Sequence, residues 1–277
     1  MPNTQSLPLK FWGLDRWPFR GSVAEGQFYP TAGHNEALAR IEYLVESRRR
    51  LGAMLAESGA GKSLLFKVAA NQLARKGVAV ATVDALGASS REVLWNIAMG
   101  LRTMPRDDAD VAWLWRQIAD RVAENRVQQV STVVLVDDAG QAGPDLAMQL
   151  ARLVRLDTTP SASWTLVLAA EPAQAARWPE SLRSAVDLRI EIGPWSMDDT
   201  IGYVQTALVE AGRMEPVFED DALRTLHELS SGIPREVARL ADYALLAGAV
   251  AKVDAVNAAM IDEAYDEIAW PTAAVAY

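Results

Sequence analysis

The chain has 277 residues, half of them hydrophobic and 23% charged, with a mean hydropathy of +0.01. That profile belongs to a folded globular protein and excludes a disordered one. The absence of cysteine excludes disulfides, thiolate metal sites and cysteine nucleophiles.

The longest apolar stretch, residues 241–253, is too short for a bilayer and carries Asp242 and Lys252. The opening MPNTQSLPLKFW has no basic-then-apolar leader, so a cytoplasmic location and no membrane span are expected. A net charge of −9 and a pI near 4.9 disfavour non-specific binding to nucleic acid, which depends on neutralising phosphates. Arg48, Arg49 and Arg50 form the one dense basic run, and cations at a helix C-terminus would complement its dipole there. The two histidines, His34 and His227, lie far apart, which argues against a two-histidine metal site or a Ser-His-Asp hydrolase.

In chain order, LGAML (51–55) reads as a short apolar strand, followed by helical periodicity over 62–75. VAVATVDA (78–85) is β-branched and apolar, and helices follow over 90–101 and 111–125. STVVLVDDA (131–139) is an apolar run of the kind buried on both faces, followed by a helix over 145–156. SWTLVLAAE (163–171) repeats that character, and LRIEI (188–192) is a shorter alternating strand. Such alternation implies an α/β fold with a five-stranded parallel sheet covered by helices on both sides. After Pro194 the segments 197–211, 219–230, 234–247 and 257–268 are all helical in period, with no strand between them. The expected organisation is an α/β domain with an N-terminal arm over 1–195, an all-α domain over 196–270, and a frayed tail over 271–277. The stripes Val111, Leu114, Trp115, Ile118, Val122 and Leu146, Leu150, Leu153 are core-facing, which leaves Trp113 on another face of its helix.

Between the first strand and its helix stands Glu57-Ser58-Gly59-Ala60-Gly61-Lys62-Ser63. A glycine-rich turn in that context lets successive N–H groups point at phosphates, and the helix adds its positive end. The pattern GxxxxGK(S/T) is met except at its first glycine, which is Ala56. In this reading Lys62 reaches the β- and γ-phosphates, and Glu57 through Leu64 cradle the nucleotide. The Ser63 hydroxyl binds Mg²⁺. The strand 133–136 ends in Asp137 and Asp138, as a Walker B segment does. Asp137 would hold the Mg²⁺ water shell and Asp138 would polarise the attacking water. The alternative for the two acids is a strand-end turn or a helix cap.

With these boxes in place the chain resembles the AAA+ ATPases of the ExeA/GspA type, associated with general secretion, and more loosely the TniB/MuB-type transposition ATPases. The likeness starts at Phe11-Trp12-Gly13-Leu14 with Pro18-Phe19 and continues through His34-Asn35-Glu36-Ala37-Leu38. It then runs through the P-loop and Walker B to Leu166–Pro172, similar to a sensor 1 strand end, and to Gly232-Ile233-Pro234-Arg235, similar to the GxPR opening of a sensor 2 helix. The resemblance implies a helical lid after the α/β domain, with Arg235 reporting on the γ-phosphate. It also implies a homo-oligomer and a protein partner in a secretion or envelope assembly. Arg183 is the surviving arginine of the RQR box that supplies an arginine finger; the second arginine is Ala185. The family tends to have Glu where this chain has Asp138, and Gln where it has Glu171. Phe11, Trp12, Trp17 and Phe19 either wall the adenine or staple the arm onto the sheet.

The expected activity is slow ATP hydrolysis coupled to a conformational change or to assembly of a partner complex. The competing expectation is an ATP-dependent switch or scaffold with little turnover, including one acting in DNA transposition, which the acidic charge disfavours.

Overall fold

The computed structural model describes residues 6–19 and 28–268, so the expected tail over 271–277 lies outside the described residues. The chain folds as two compact units, one of residues 30–193 and one of residues 1–29 with 194–277.

The first unit opens with α1's successor in the chain, the helix α2 (Ala32–Glu46); α1 itself (Ser6–Trp12) belongs to the other unit. Five strands follow: β1 (Leu51–Ala56), β2 (Ala79–Asp84), β3 (Thr132–Asp137), β4 (Trp164–Ala170) and β5 (Leu188–Ile192). They form one parallel sheet in the order β2-β3-β4-β1-β5. The crossovers are α3 (Lys62–Arg75), α4 (Ser90–Gly100), α5 (Val111–Val127), α6 (Pro144–Leu153) and the short helices α7 (Pro172–Ala175) and α8 (Glu180–Arg183). β4 is buried along its whole length and β3 up to its last residue. That burial is why both strands read as unbroken apolar runs rather than alternating ones.

Local chemistry sets the boundaries. α4 starts at a capping box, in which the Ser89 hydroxyl accepts from Glu92 N–H while the Glu92 carboxylate accepts from Ser89 N–H. α5 is capped by Asp110, whose side chain accepts from Trp113 N–H at 2.7 Å. Trp115 lies in the core with its indole N–H on Gln149, and Trp113 packs partly buried against the same core. Arg48, Arg49 and Arg50 follow the Ser47 C-cap of α2, beyond the helix end. Asp187 turns its carboxylate onto the amides of Arg50 and Leu51, which satisfies backbone donors just ahead of β1.

The second unit contains α1 together with α9 (Met197–Glu210), α10 (Asp220–Ser230), α11 (Pro234–Ala251) and α12 (Ala258–Ile268). Here the structure corrects one expectation. The N-terminal arm was placed with the α/β domain, but Trp12, Leu14 and Phe19 are buried in the core of the helical unit. The Trp12 indole N–H donates to the Leu245 carbonyl at 2.8 Å, inside α11. Its ring passes so close to Gly248 that a Cβ there would lie 2.9 Å from Cζ2. Trp12 is 3% exposed and Phe19 7%, so both pack within the helical unit, whereas Phe11 is 40% exposed. Apolar surface drives the burial, and it is satisfied equally by either core.

Removing this anchor has a defined consequence. Trp12→Ala should cost about 3–5 kcal/mol of stability by urea unfolding, as large buried aromatics do. Hydrogen exchange should accelerate in α11 while β1, β3 and β4 stay protected.

Candidate functional site

In a parallel sheet all strands end on one side, so the loops after β1, β3 and β4 share one edge. β4 lies between β1 and β3, which places its trailing segment between the glycine-rich loop after β1 and the two aspartates that follow β3.

The loop after β1 is shaped by two left-handed glycines, Gly59 at φ 82° and Gly61 at φ 92°. A side chain would be strained at either position. Gly61 is the N-cap of α3 and supplies no side-chain cap, so no side chain stands between the first turn of the helix and a ligand. Lys62 is buried, and its Nζ donates to the Ala56 carbonyl at 2.9 Å and the Glu57 carbonyl at 3.0 Å. The ammonium thus rests on the loop's own carbonyls, and contact with a phosphate would exchange those bonds for stronger charge-assisted ones. Glu57, Ser58 and Ser63 are exposed, Gly59 and Leu64 half-buried, and Ala60 buried. His34 is 5% exposed beside this loop. Its Nδ1 lies 3.1 Å from Thr31 Oγ1, and its Nε2 would be 3.7 Å from a Cβ on Gly61.

Asp137 closes β3, and its carboxylate accepts from Asp138 N–H at 3.0 Å. Asp138 takes a left-handed conformation, φ 49° and ψ 29°. Asp84 closes β2 and pairs in register with Asp137, so a further carboxylate sits one strand away. The sequence signal for Asp84 was an acid ending an apolar strand, the same signal that marked Asp137. Glu171 is the N-cap of α7 and makes no side-chain cap bond. These acids act on one another. Asp138 is pushed above the usual carboxylate range, first by burial and then by the charges of Asp137 and Asp84. Lys62 opposes the shift and Glu171 adds to it. The negative charge of Glu171 is therefore felt at Asp138.

Among the described residues no cluster of three or more His, Cys, Asp or Glu side chains is arranged to hold a metal by itself. The available donors, the Ser63 hydroxyl and the Asp137 carboxylate, are hard oxygens that suit Mg²⁺. Mg²⁺ typically takes one or two protein ligands and completes its shell with phosphate and water.

The remaining candidates lie elsewhere. Arg183 ends α8, ahead of the N-terminal end of β5, and pairs with Glu180 at 2.7 Å. It is half-exposed and also donates to the Ala176 carbonyl at 3.3 Å. Ala185 follows in the turn before β5, with its amide on the Leu182 carbonyl. Arg235 belongs to the helical unit, in the first turn of α11, after a turn in which Trp195 N–H donates to the Gly232 carbonyl at 2.8 Å. His227 packs in that unit with Nδ1 2.9 Å from the Thr200 hydroxyl.

The carboxylate cluster makes a testable statement about stability. A carboxyl whose folded pKa is raised binds more protons folded than unfolded, so its stabilising share is present at low pH and is lost as pH rises from the unfolded value through the folded one. Asp138→Asn should therefore raise the stability of the nucleotide-free protein at pH 7. Repeated below pH 4 in urea, the same comparison should show the gain shrinking toward zero.

The AAA domain family matches residues 45–178 of this chain. General secretion pathway protein A of Aeromonas hydrophila is 31% identical over 242 residues, covering 86% of this chain and 44% of that protein. The chain thus spans less than half the length of this relative. Among solved structures, Cdc6p of Pyrobaculum aerophilum superposes with a TM-score of 0.70 at 14% identity, over 92% of this chain and 72% of that one. The Aeropyrum pernix ORC1 protein, solved in complex with DNA, gives 0.67 at 15% identity over 92% and 69%. The Thermotoga maritima RuvB Holliday junction branch migration motor gives 0.57 at 16% identity over 91% and 73%. At those identities the structural likeness speaks for the fold alone; by sequence, residues 45–178 form a domain of the AAA family and the chain resembles general secretion pathway protein A, in keeping with its α/β sheet and glycine-rich loop.

Proposed function

We propose that this chain binds Mg·ATP on the loop from Glu57 to Leu64 and hydrolyses it slowly. Nucleotide state would then be passed to its helical unit and from there to a partner complex. The observation that carries the reading is the left-handed Gly59 and Gly61 opening an uncapped α3, with Asp137 closing a strand on the same edge of the sheet.

In this reading the amides of Ser58 to Ser63 wrap the phosphates, and Lys62 leaves the Ala56 and Glu57 carbonyls for the β- and γ-phosphates. Ser63 and Asp137 hold Mg²⁺, which when bound neutralises phosphate charge. Asp138 polarises the attacking water, Arg235 senses the γ-phosphate from the helical unit, and Arg183 serves a neighbouring copy in a homo-oligomer. Slow turnover follows from three departures. Asp138 is one methylene shorter than glutamate, its carboxyl is pushed toward the protonated form, and Ala185 removes one arginine from the finger box. A need for ATP supports a cytoplasmic location. The likeness to a general secretion pathway protein supports a partner in a secretion or envelope assembly. No helix among the described residues is long and apolar enough to cross a membrane.

A second reading, a nucleotide switch or scaffold with almost no turnover, is favoured by Asp84, Asp137, Asp138 and Glu171 crowding one edge of the sheet. An action on DNA of the transposition kind is disfavoured by the net charge of −9.

The deciding experiment measures ATP turnover against protein concentration, with Lys62→Ala as the blank. Turnover per subunit rising with concentration and lost in Lys62→Ala supports a motor working between copies. Tight nucleotide binding with negligible turnover at every concentration supports the switch. Lys62→Ala should weaken ATP binding by about 100-fold, since a charge-assisted phosphate contact is lost. No measurable affinity of the unaltered protein for ATP or ADP overturns both readings.

A further inference from the structure

The left-handed residue at this site is held from the segment that follows a neighbouring strand. Seven non-glycine residues have positive φ among those described: Arg48, Arg102, Met104, Gln129, Asp138, Ser231 and Lys252. Five lie in the turns that follow helices, where a left-handed residue ends the helix in the ordinary way, and Met104 lies in the loop between α4 and α5. Asp138 alone follows a strand, so helix termination does not account for it. An outlier of this kind persists only where its surroundings over-determine it.

Those surroundings belong to the segment after β4. Ala139, the next residue, is fully buried, and its carbonyl accepts from the Trp178 indole N–H at 3.2 Å. Gly140 has no room for a side chain. A Cβ there would lie 2.3 Å from Gln174 Oε1, 2.7 Å from Gln174 Cβ and 3.0 Å from Ala170 Cβ. The Asp138 carbonyl accepts from Gln141 N–H at 3.1 Å, which closes the turn over Ala139 and Gly140. Two contacts from one neighbouring segment therefore fix the two residues that follow the acid.

Resting on the reading of Asp138 as the water-polarising carboxylate, we propose that Trp178 and Gln174 are positioning residues. By clamping Ala139 and Gly140 they hold Asp138 in its left-handed conformation and keep its carboxylate facing the phosphate site. The same clamp ties the turn after β3 to the segment that begins at Glu171, so the two acids keep a fixed separation whatever the nucleotide. Trp178 needs no contact with nucleotide for this role. It acts through the backbone of Ala139.

The test uses the full chain. Trp178→Phe keeps the ring bulk and removes the N–H; Gln174→Ala releases the second contact at a half-buried position. Both should lower kcat roughly tenfold, the scale on which misplacement of a reacting group acts, with KM and ADP affinity unchanged within about twofold. In an Asp138→Asn background Trp178→Phe should cause no further loss, because it acts only through that carboxylate. Amide exchange over 138–142 should quicken in both variants while β3 and the P-loop keep their protection. Equal losses in the two backgrounds, or unchanged exchange over 138–142, overturn the proposal. If the unaltered protein binds ATP without turnover, the exchange result decides. Failure of the unaltered protein to bind nucleotide strikes the functional reading and leaves the exchange prediction standing on its own.

Discussion

Parallel pairing requires every strand of this sheet to finish on the same edge, and the strand order decides which ends are neighbours. With β4 between β1 and β3, a glycine-rich loop, a pair of aspartates and Glu171 are brought to one edge from places more than a hundred residues apart in sequence. None of these side chains needs an attraction to the others to be there. Asp138 and the three carboxylates around it would separate if they could, and the hydrogen bonds of the sheet hold them together against that repulsion. Apolar burial along β3 and β4 supplies the free energy that opposes it.

That balance explains why Lys62 lies where it does. In a nest of acids the one lysine of the loop might be expected to pair with a carboxylate, yet its ammonium donates to two backbone carbonyls. Those carbonyls belong to Ala56 and Glu57, at the exit of β1, and they keep the charge satisfied while leaving the carboxylates to the metal and water that the reading assigns them. The arrangement stores the cation beside its work without a salt bridge that would have to be broken first.

Much of this was written in the local sequence. Strand and helix limits followed from periodicity, because β3 and β4 are buried on both faces and carry no competing pattern. The glycines at 59 and 61 announced a turn that only glycine makes easily, and Lys62 and Ser63 followed in their places. The destination of the arm was not legible: Trp12, Leu14 and Phe19 are apolar residues that either core could absorb, and nothing in their order says which. Nor was the crowding around Asp138. Asp84 and Glu171 reach it only through strand order, and the left-handed backbone at 138 depends on Trp178 and Gln174, which carry no motif.

The helical unit is assembled from both ends of the chain, and this has a consequence during synthesis. Residues 30–193 can complete their own contacts while the ribosome is still making the rest, because none of their partners within the unit comes later. Trp12 has no such luck: its acceptor, the Leu245 carbonyl, is made 233 residues afterwards. Throughout that interval an indole, a leucine and a phenylalanine wait without the core that buries them, and the nascent chain must tolerate this apolar segment until α11 emerges.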